Sequence, residues 1–173
     1  MKKRAELLAQ RIEQGAATLA DFARGLSAQE WRTVVRPDGR TVGVVVHHVA
    51  SVYPIEVHLA TVVANGNAVT DVTWDAVAEM NGKHAAENIN ASKEETLDLL
   101  LRNSKAAADA VRAFSDEQLD SAAPFSLNAG APLTAQFVIE DHALRHSWHH
   151  LAKIKMALAA GKTGLRSATQ SVA

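Results

Sequence analysis

The sequence predicts an all-α fold, a single domain arranged as a four-helix bundle, and three observations carry that prediction. Apolar residues recur at helical spacing over several long segments, helix-start signatures precede several of them, and only nine glycines and four prolines interrupt 173 residues. A chain of this length fills one domain of ordinary size. Aromatic residues make up 5% of it, so the expected core is aliphatic.

The first helix is expected from Ala5 to Arg24, where Leu7, Leu8, Ile12, Leu19 and Phe22 recur at helical spacing before Gly25. Ser27-Ala28-Gln29-Glu30 has the form of a capping box and opens a short turn carrying Trp31. Arg36-Pro37-Asp38-Gly39 then breaks the chain. Thr41 is an N-cap for the second long helix, running to about Asn65-Gly66. Val44-Val45-Val46 alone would suit a buried strand, but the length of the segment favours a helix, with Pro54 expected to kink it.

Asp71 to Asn90 reads as a weaker helical segment entered through Thr73. Ser92-Lys93-Glu94-Glu95 opens a clearer helix through Leu97, Leu100, Ala108 and Val111. A brief turn from Ser115 and a loop from Pro124 to Pro132 lead to the final helix, Thr134 to about Ala160, with Gly161 as its stop. The bundle is therefore assigned to residues 1–164, and residues 165–173 are expected to form a flexible tail.

Eighteen basic and nineteen acidic residues leave almost no net charge, which argues against nucleic acid as a partner. The basic start Met1-Lys2-Lys3-Arg4 is not followed by the apolar run of a signal peptide. With no run of about 18 consecutive apolar residues, no membrane span is expected and a cytoplasmic location follows as an expectation. The lack of cysteine removes disulfides, thiolate metal sites and cysteine nucleophiles. Any metal here must use histidine, carboxylate or water.

Four of the eight histidines fall within nine residues, at His142, His146, His149 and His150. On a regular helix His146 and His150 are about 40° and 6 Å apart, close enough for both imidazoles to reach one ion. Their side of the helix also carries Ile139, Ala143 and Ala157, with Lys153 as its only charge, and reads as interior. The other half mixes charges with Phe137, Leu144, Trp148 and Leu151, a ridge suited to a second helix or to the subunit contact of a homodimer.

His48 lies at the centre of a stripe formed by Val44, Val45, Val52, Ile55, Leu59 and Val62, where a desolvated imidazole needs a partner. A divalent ion shared by His48, His146 and His150 would supply one. His142 with His146 is a competing pair at the same spacing. His47, His58 and His84 read as polar shoulders or helix-start residues, and His149 as a flanking residue. Zinc-protease H-E-x-x-H and di-iron E-x-x-H patterns are both absent, so the site is expected to be mononuclear and dominated by histidine.

The segments Thr41-Val42-Gly43 through His48-Val49-Ala50 and His146-Ser147-Trp148-His149-His150-Leu151-Ala152-Lys153-Ile154 resemble the DinB-like superfamily of metal-binding four-helix bundles. Helix order extends the resemblance over roughly residues 5 to 160. It implies that one histidine of the second long helix and an H-x-x-x-H pair of the last bind a divalent ion, commonly zinc or nickel. It also favours His146 and His150 over His142 and His146. Lys153 stands where many relatives carry glutamine, and Pro54 interrupts the second long helix.

Characterised relatives include thiol-dependent transferases and a mycothiol-dependent maleylpyruvate isomerase. The resemblance thus implies a metal-dependent enzyme that activates a small-molecule thiol or water for transfer, isomerisation or hydrolysis. The contrasting expectation is a non-catalytic bundle that binds a small ligand or a protein and keeps the metal for structure. Glu56, Glu79, Glu140 and Asp141 are available as a general base, and no spacing selects among them.

Overall fold

The computed structural model describes residues 3–170. Four long helical stretches form the bundle: α1 (Lys3–Arg24), α3 (Val42–Ala64), α5 (Lys93–Arg112) and a final stretch that ends in α8 (Arg145–Gln170). Short helices α2 (Ala28–Trp31) and α6 (Asp116–Asp120) lie in the connections, and α4 (Trp74–Glu87) flanks the bundle beside α3. The start signals act as read. Ser27 and Ser115 close full capping boxes, and Thr41, Thr73 and Ser92 each accept a hydrogen bond from the backbone three residues on.

Helix α1 buries a stripe made mostly of small residues, including Ala5, Ala9, Ala16, Ala20 and Ala23, with Leu8, Ile12 and Leu19 between them. Small side chains let its neighbours approach closely. A Cβ at Gly15 would lie 2.9 Å from Trp148 Nε1, and one at Gly43 would lie 2.5 Å from Trp31 Nε1. Gly43 thus gives Trp31 its seat against the first turn of α3, where the indole N–H donates to Ala91 O at 3.1 Å.

Helix α3 is buried on nearly every side, which is why a valine-rich segment is helical here: tertiary burial outweighs the strand preference of β-branched residues. Among the described residues it is the one helix long and apolar enough to cross a membrane, and 67% of that stretch is buried inside the protein. Pro54 sits inside it without an N–H to offer the carbonyl of Ala50. That carbonyl instead accepts from Asn103 Nδ2 on α5 at 2.8 Å, so a side chain of a neighbouring helix fills the gap.

Two features depart from the sequence reading. Residues of the expected loop at 124–132 belong to an antiparallel hairpin, β1 (Ala122–Phe125) and β2 (Ala131–Thr134), in which Pro124 faces Pro132. Pro124 O turns away from β2 to accept from Val69 N at 2.9 Å, so the prolines face each other where neither strand needs an N–H from the other. The last helix is also not regular. It begins as α7 (Ala135–Val138), widens into a π-helical turn over Ile139–Leu144 and resumes as α8, which passes Gly161 and continues to Gln170. Of the expected tail, residues 171–173 lie outside the described residues.

The role of Asn103 is open to a double-mutant cycle. Asn103→Ala should destabilise the protein by roughly 1 kcal/mol, the net value of a hydrogen bond whose acceptor would be left without one. In a Pro54→Ala background, where a restored N–H can serve Ala50 O, the same substitution should cost markedly less by urea denaturation. Equal costs in both backgrounds would refute the compensation.

Candidate metal centre

His48 comes from the second turn of α3, and His146 and His150 from the first turns of α8, so one histidine faces a pair one helical turn apart. Ring centroids lie 5.1 Å apart for His48 and His146, 5.5 Å for His48 and His150, and 4.8 Å for His146 and His150. One nitrogen from each ring falls within 4.8 Å of the other two. A single ion about 2.0–2.1 Å from each nitrogen would need only small side-chain adjustments.

His48 and His150 are only 5% and 6% exposed, which removes the water that would stabilise a charged ring. Burial, reinforced by the neighbouring His146, holds His48 down to about 3 and His150 down to about 2. Both are therefore neutral near pH 7 and keep a lone pair for coordination. His150 Nδ1 is buried with no hydrogen-bond partner among the described residues, an orphaned polar atom of the kind that a bound ion or its retinue would satisfy. The donor set and the orphaned nitrogen fit a divalent ion.

Glu56 completes the arrangement. It lies two turns beyond His48 on α3, is buried, and its Oε1 accepts from His146 Nδ1. This bond fixes the ring tautomer and leaves Nε2 of His146 free to coordinate. Sequence spacing left Glu56 level with three other acids; the signal that could have singled it out is a carboxylate set within an otherwise apolar stripe. Glu79, Glu140 and Asp141 have other surroundings, with Glu140 bonded to Arg11 and Asp141 to Arg145.

The remaining histidines divide by location. His142 packs on Phe125, with ring centroids 5.6 Å apart, and lies outside the three-nitrogen cluster. The π turn between Ile139 and Leu144 changes the angular step per residue, so the regular-helix spacing of His142 and His146 does not survive folding. His149 is exposed and edge-on to His150, and His58 is exposed. His47 and His84, read as polar shoulders, form a pair instead: His47 Nδ1 and His84 Nε2 lie 2.9 Å apart, which ties α4 to α3.

A cavity of about 770 Å³ opens onto the centre. Val52, Ile55 and Leu59 of α3, with Trp74, Val77 and Met80 of α4, form its apolar wall. Helix α4 has no buried residue of its own and is anchored by the histidine pair and by Trp74 Nε1, which donates to Leu127 O at 3.1 Å.

A family model described as the DinB superfamily matches residues 11–154. Among solved structures, one similar to this chain is YfiT from Bacillus subtilis, described as a probable metal-dependent hydrolase with an unusual four-helix bundle topology. The two share 20% sequence identity and a TM-score of 0.72, over 94% of this chain and 90% of that one, a likeness of fold. A search of curated proteins finds no match.

The depressed histidines have a consequence for the metal-free protein. The unfolded chain binds protons at His48 and His150 near the ordinary histidine value, whereas the folded chain resists them, so stability must fall as pH drops below about 6.5. Metal-free protein should therefore melt at a lower temperature at about pH 5 than at about pH 7, and His150→Asn should flatten that dependence. An unchanged slope in the variant would contradict the burial of a neutral ring at this position.

Proposed function

This chain belongs to the DinB superfamily, and from that premise we propose that it is a divalent-metal-dependent enzyme that activates water or a small external thiol for attack on an electrophilic substrate. The observation that carries this reading is the convergence of three ring nitrogens, two of them on buried histidines, beside an open cavity. A structural zinc site is closed by four protein ligands, whereas a catalytic one takes three and leaves a position for an exchangeable group. His48, His146 and His150 would hold the ion, with zinc or nickel the metals we favour, since imidazole suits both.

When bound, the ion supplies Lewis acidity that brings the ionisation of water or a thiol toward neutral pH. The protein's own groups supply the rest. Burial keeps His48 and His150 uncharged, and Glu56 orients His146 through its Nδ1–H. The second carboxylate oxygen of Glu56 is buried, has no hydrogen-bond partner among the described residues, and belongs to a residue lining the cavity. It is available to hold a proton released from the nucleophile. The apolar wall binds the body of the substrate and limits water. Because the chain has no cysteine, a thiol must arrive as a second substrate. Hydrolysis, the activity named for YfiT, is the other branch of the same chemistry.

Elemental analysis of untagged protein should find about one divalent ion per chain, as three ligands and one centre require. His48→Ala and His146→Ala should each lose most of it, while Glu56→Gln should retain the site with metal affinity reduced by about 10–100-fold. Turnover of activated esters, and of electrophiles paired with low-molecular-weight thiols, should depend on the ion. Full metal content in both histidine variants would reject the ligand set; a loaded protein inert toward both panels would reject the activity.

A further inference from the structure

The cavity wall beside the histidines carries both signs of charge, with Asp38, Glu56, Asp71 and Asp141 among its residues, but not every cationic N–H on it has a partner among the described residues. Three cations line the cavity: Arg40, Arg145 and Lys153. Arg145 is spoken for, with Nε 3.1 Å from Asp141, and its side chain is 58% exposed. Arg40 is different. Its side chain is only 16% exposed and is held by Asp38 through Nε at 2.5 Å and Nη2 at 2.7 Å, yet Nη1 is buried with no acceptor among the described residues. Lys153 is half-buried one turn beyond His150; it acts electrostatically on Asp38 but forms no salt bridge or hydrogen bond among the described residues.

The unmet guanidinium N–H is costly to maintain, because a desolvated donor without an acceptor loses the hydrogen bonds that water gave it, and the ammonium adds a second cation to the same cavity. Asp38 does not discharge both, since it carries one negative charge and is bonded to Arg40 through both oxygens. The other carboxylates of the wall are committed elsewhere: Glu56 to His146, Asp141 to Arg145, and exposed Asp71 to the hydroxyl of Thr70. Arg40 acts electrostatically on both His48 and His150, and Lys153 on Asp38, so the two cations share a corner next to the centre.

We propose that Arg40 and Lys153 form a carboxylate-binding subsite, and that the cavity takes an organic acid whose apolar body lies against Val52, Ile55, Val77 and Met80. An acid group there would accept from Arg40 Nη1–H and Lys153 Nζ–H, both charge-assisted bonds. Guanidinium and ammonium together define the anion, and the aliphatic wall defines the rest of the ligand. The proposal deepens the reading of this cavity as the substrate site, but it assigns recognition to these two side chains and not to the ion.

The test compares 3-phenylpropanoate with 3-phenylpropanamide, which share one apolar body and differ in charge. Titration calorimetry is run on wild type, Lys153→Met and Lys153→Arg, each in metal-depleted and zinc-loaded form, with metal content measured in parallel. The acid should bind about tenfold or more tightly than the amide even without metal, as expected for a charge-assisted contact. Lys153→Met should abolish most of that preference while keeping its zinc, and Lys153→Arg should restore it. Equal binding of acid and amide, a preference untouched by Lys153→Met, a preference present only with zinc, or no binding of either compound would each overturn the subsite. Failure of wild type to bind zinc would count against the metal reading alone, because the metal-depleted comparison still decides this one.

Discussion

Three imidazoles meeting between α3 and α8 set a condition that the rest of the molecule must meet. Polar rings are tolerated in such a place only if their nitrogens have something to bind, and only if the helices bearing them cannot slide. The bundle meets the second condition through packing: α3 is enclosed on almost every side, and α1 offers a row of small residues that lets its neighbours close in. Buried Tyr53 adds a polar tie, its hydroxyl 2.7 Å from that of Ser147, one residue from His146. The same two helices that hold the rings are thus locked to each other beside them.

The irregularities of the backbone fall close to this point. Pro54 follows His48 by six residues, and the amide of Asn103 repairs the bond it removes. The π turn ends one residue before Arg145, so α8 starts its own register just ahead of His146 and His150. Both departures cost backbone hydrogen bonding or regular packing, and both lie in the segments that place ligands. Wide helical turns recur at functional sites because they re-aim the side chains that follow.

Around the rings, the polar groups differ in how fully they are paired. Burial keeps His48 and His150 neutral, Glu56 is bonded to His146, and Arg40 has partners for only some of its N–H groups among the described residues. Helix α4, carrying no buried residue, covers the cavity by its edges alone, so the pocket can be lined with apolar side chains without joining the core.

Local chemistry was enough to read the helices, because caps, turn residues and apolar periodicity are properties of neighbours in the chain: Thr41, Thr73, Ser92 and Thr134 all start helices where their side chains can cap them. The histidines that cluster were legible for the same reason, His48 from its apolar stripe and His146 with His150 from a spacing of one turn. Tertiary structure decided what lies across the gap between segments. It set Glu56 alone of the four acids against His146, paired His47 with His84, set the hairpin's prolines face to face and removed His142 from the cluster by widening a turn. Each of these depends on which groups distant stretches bring within a few ångströms, and hydrogen bonding and desolvation act over that range and not along the sequence.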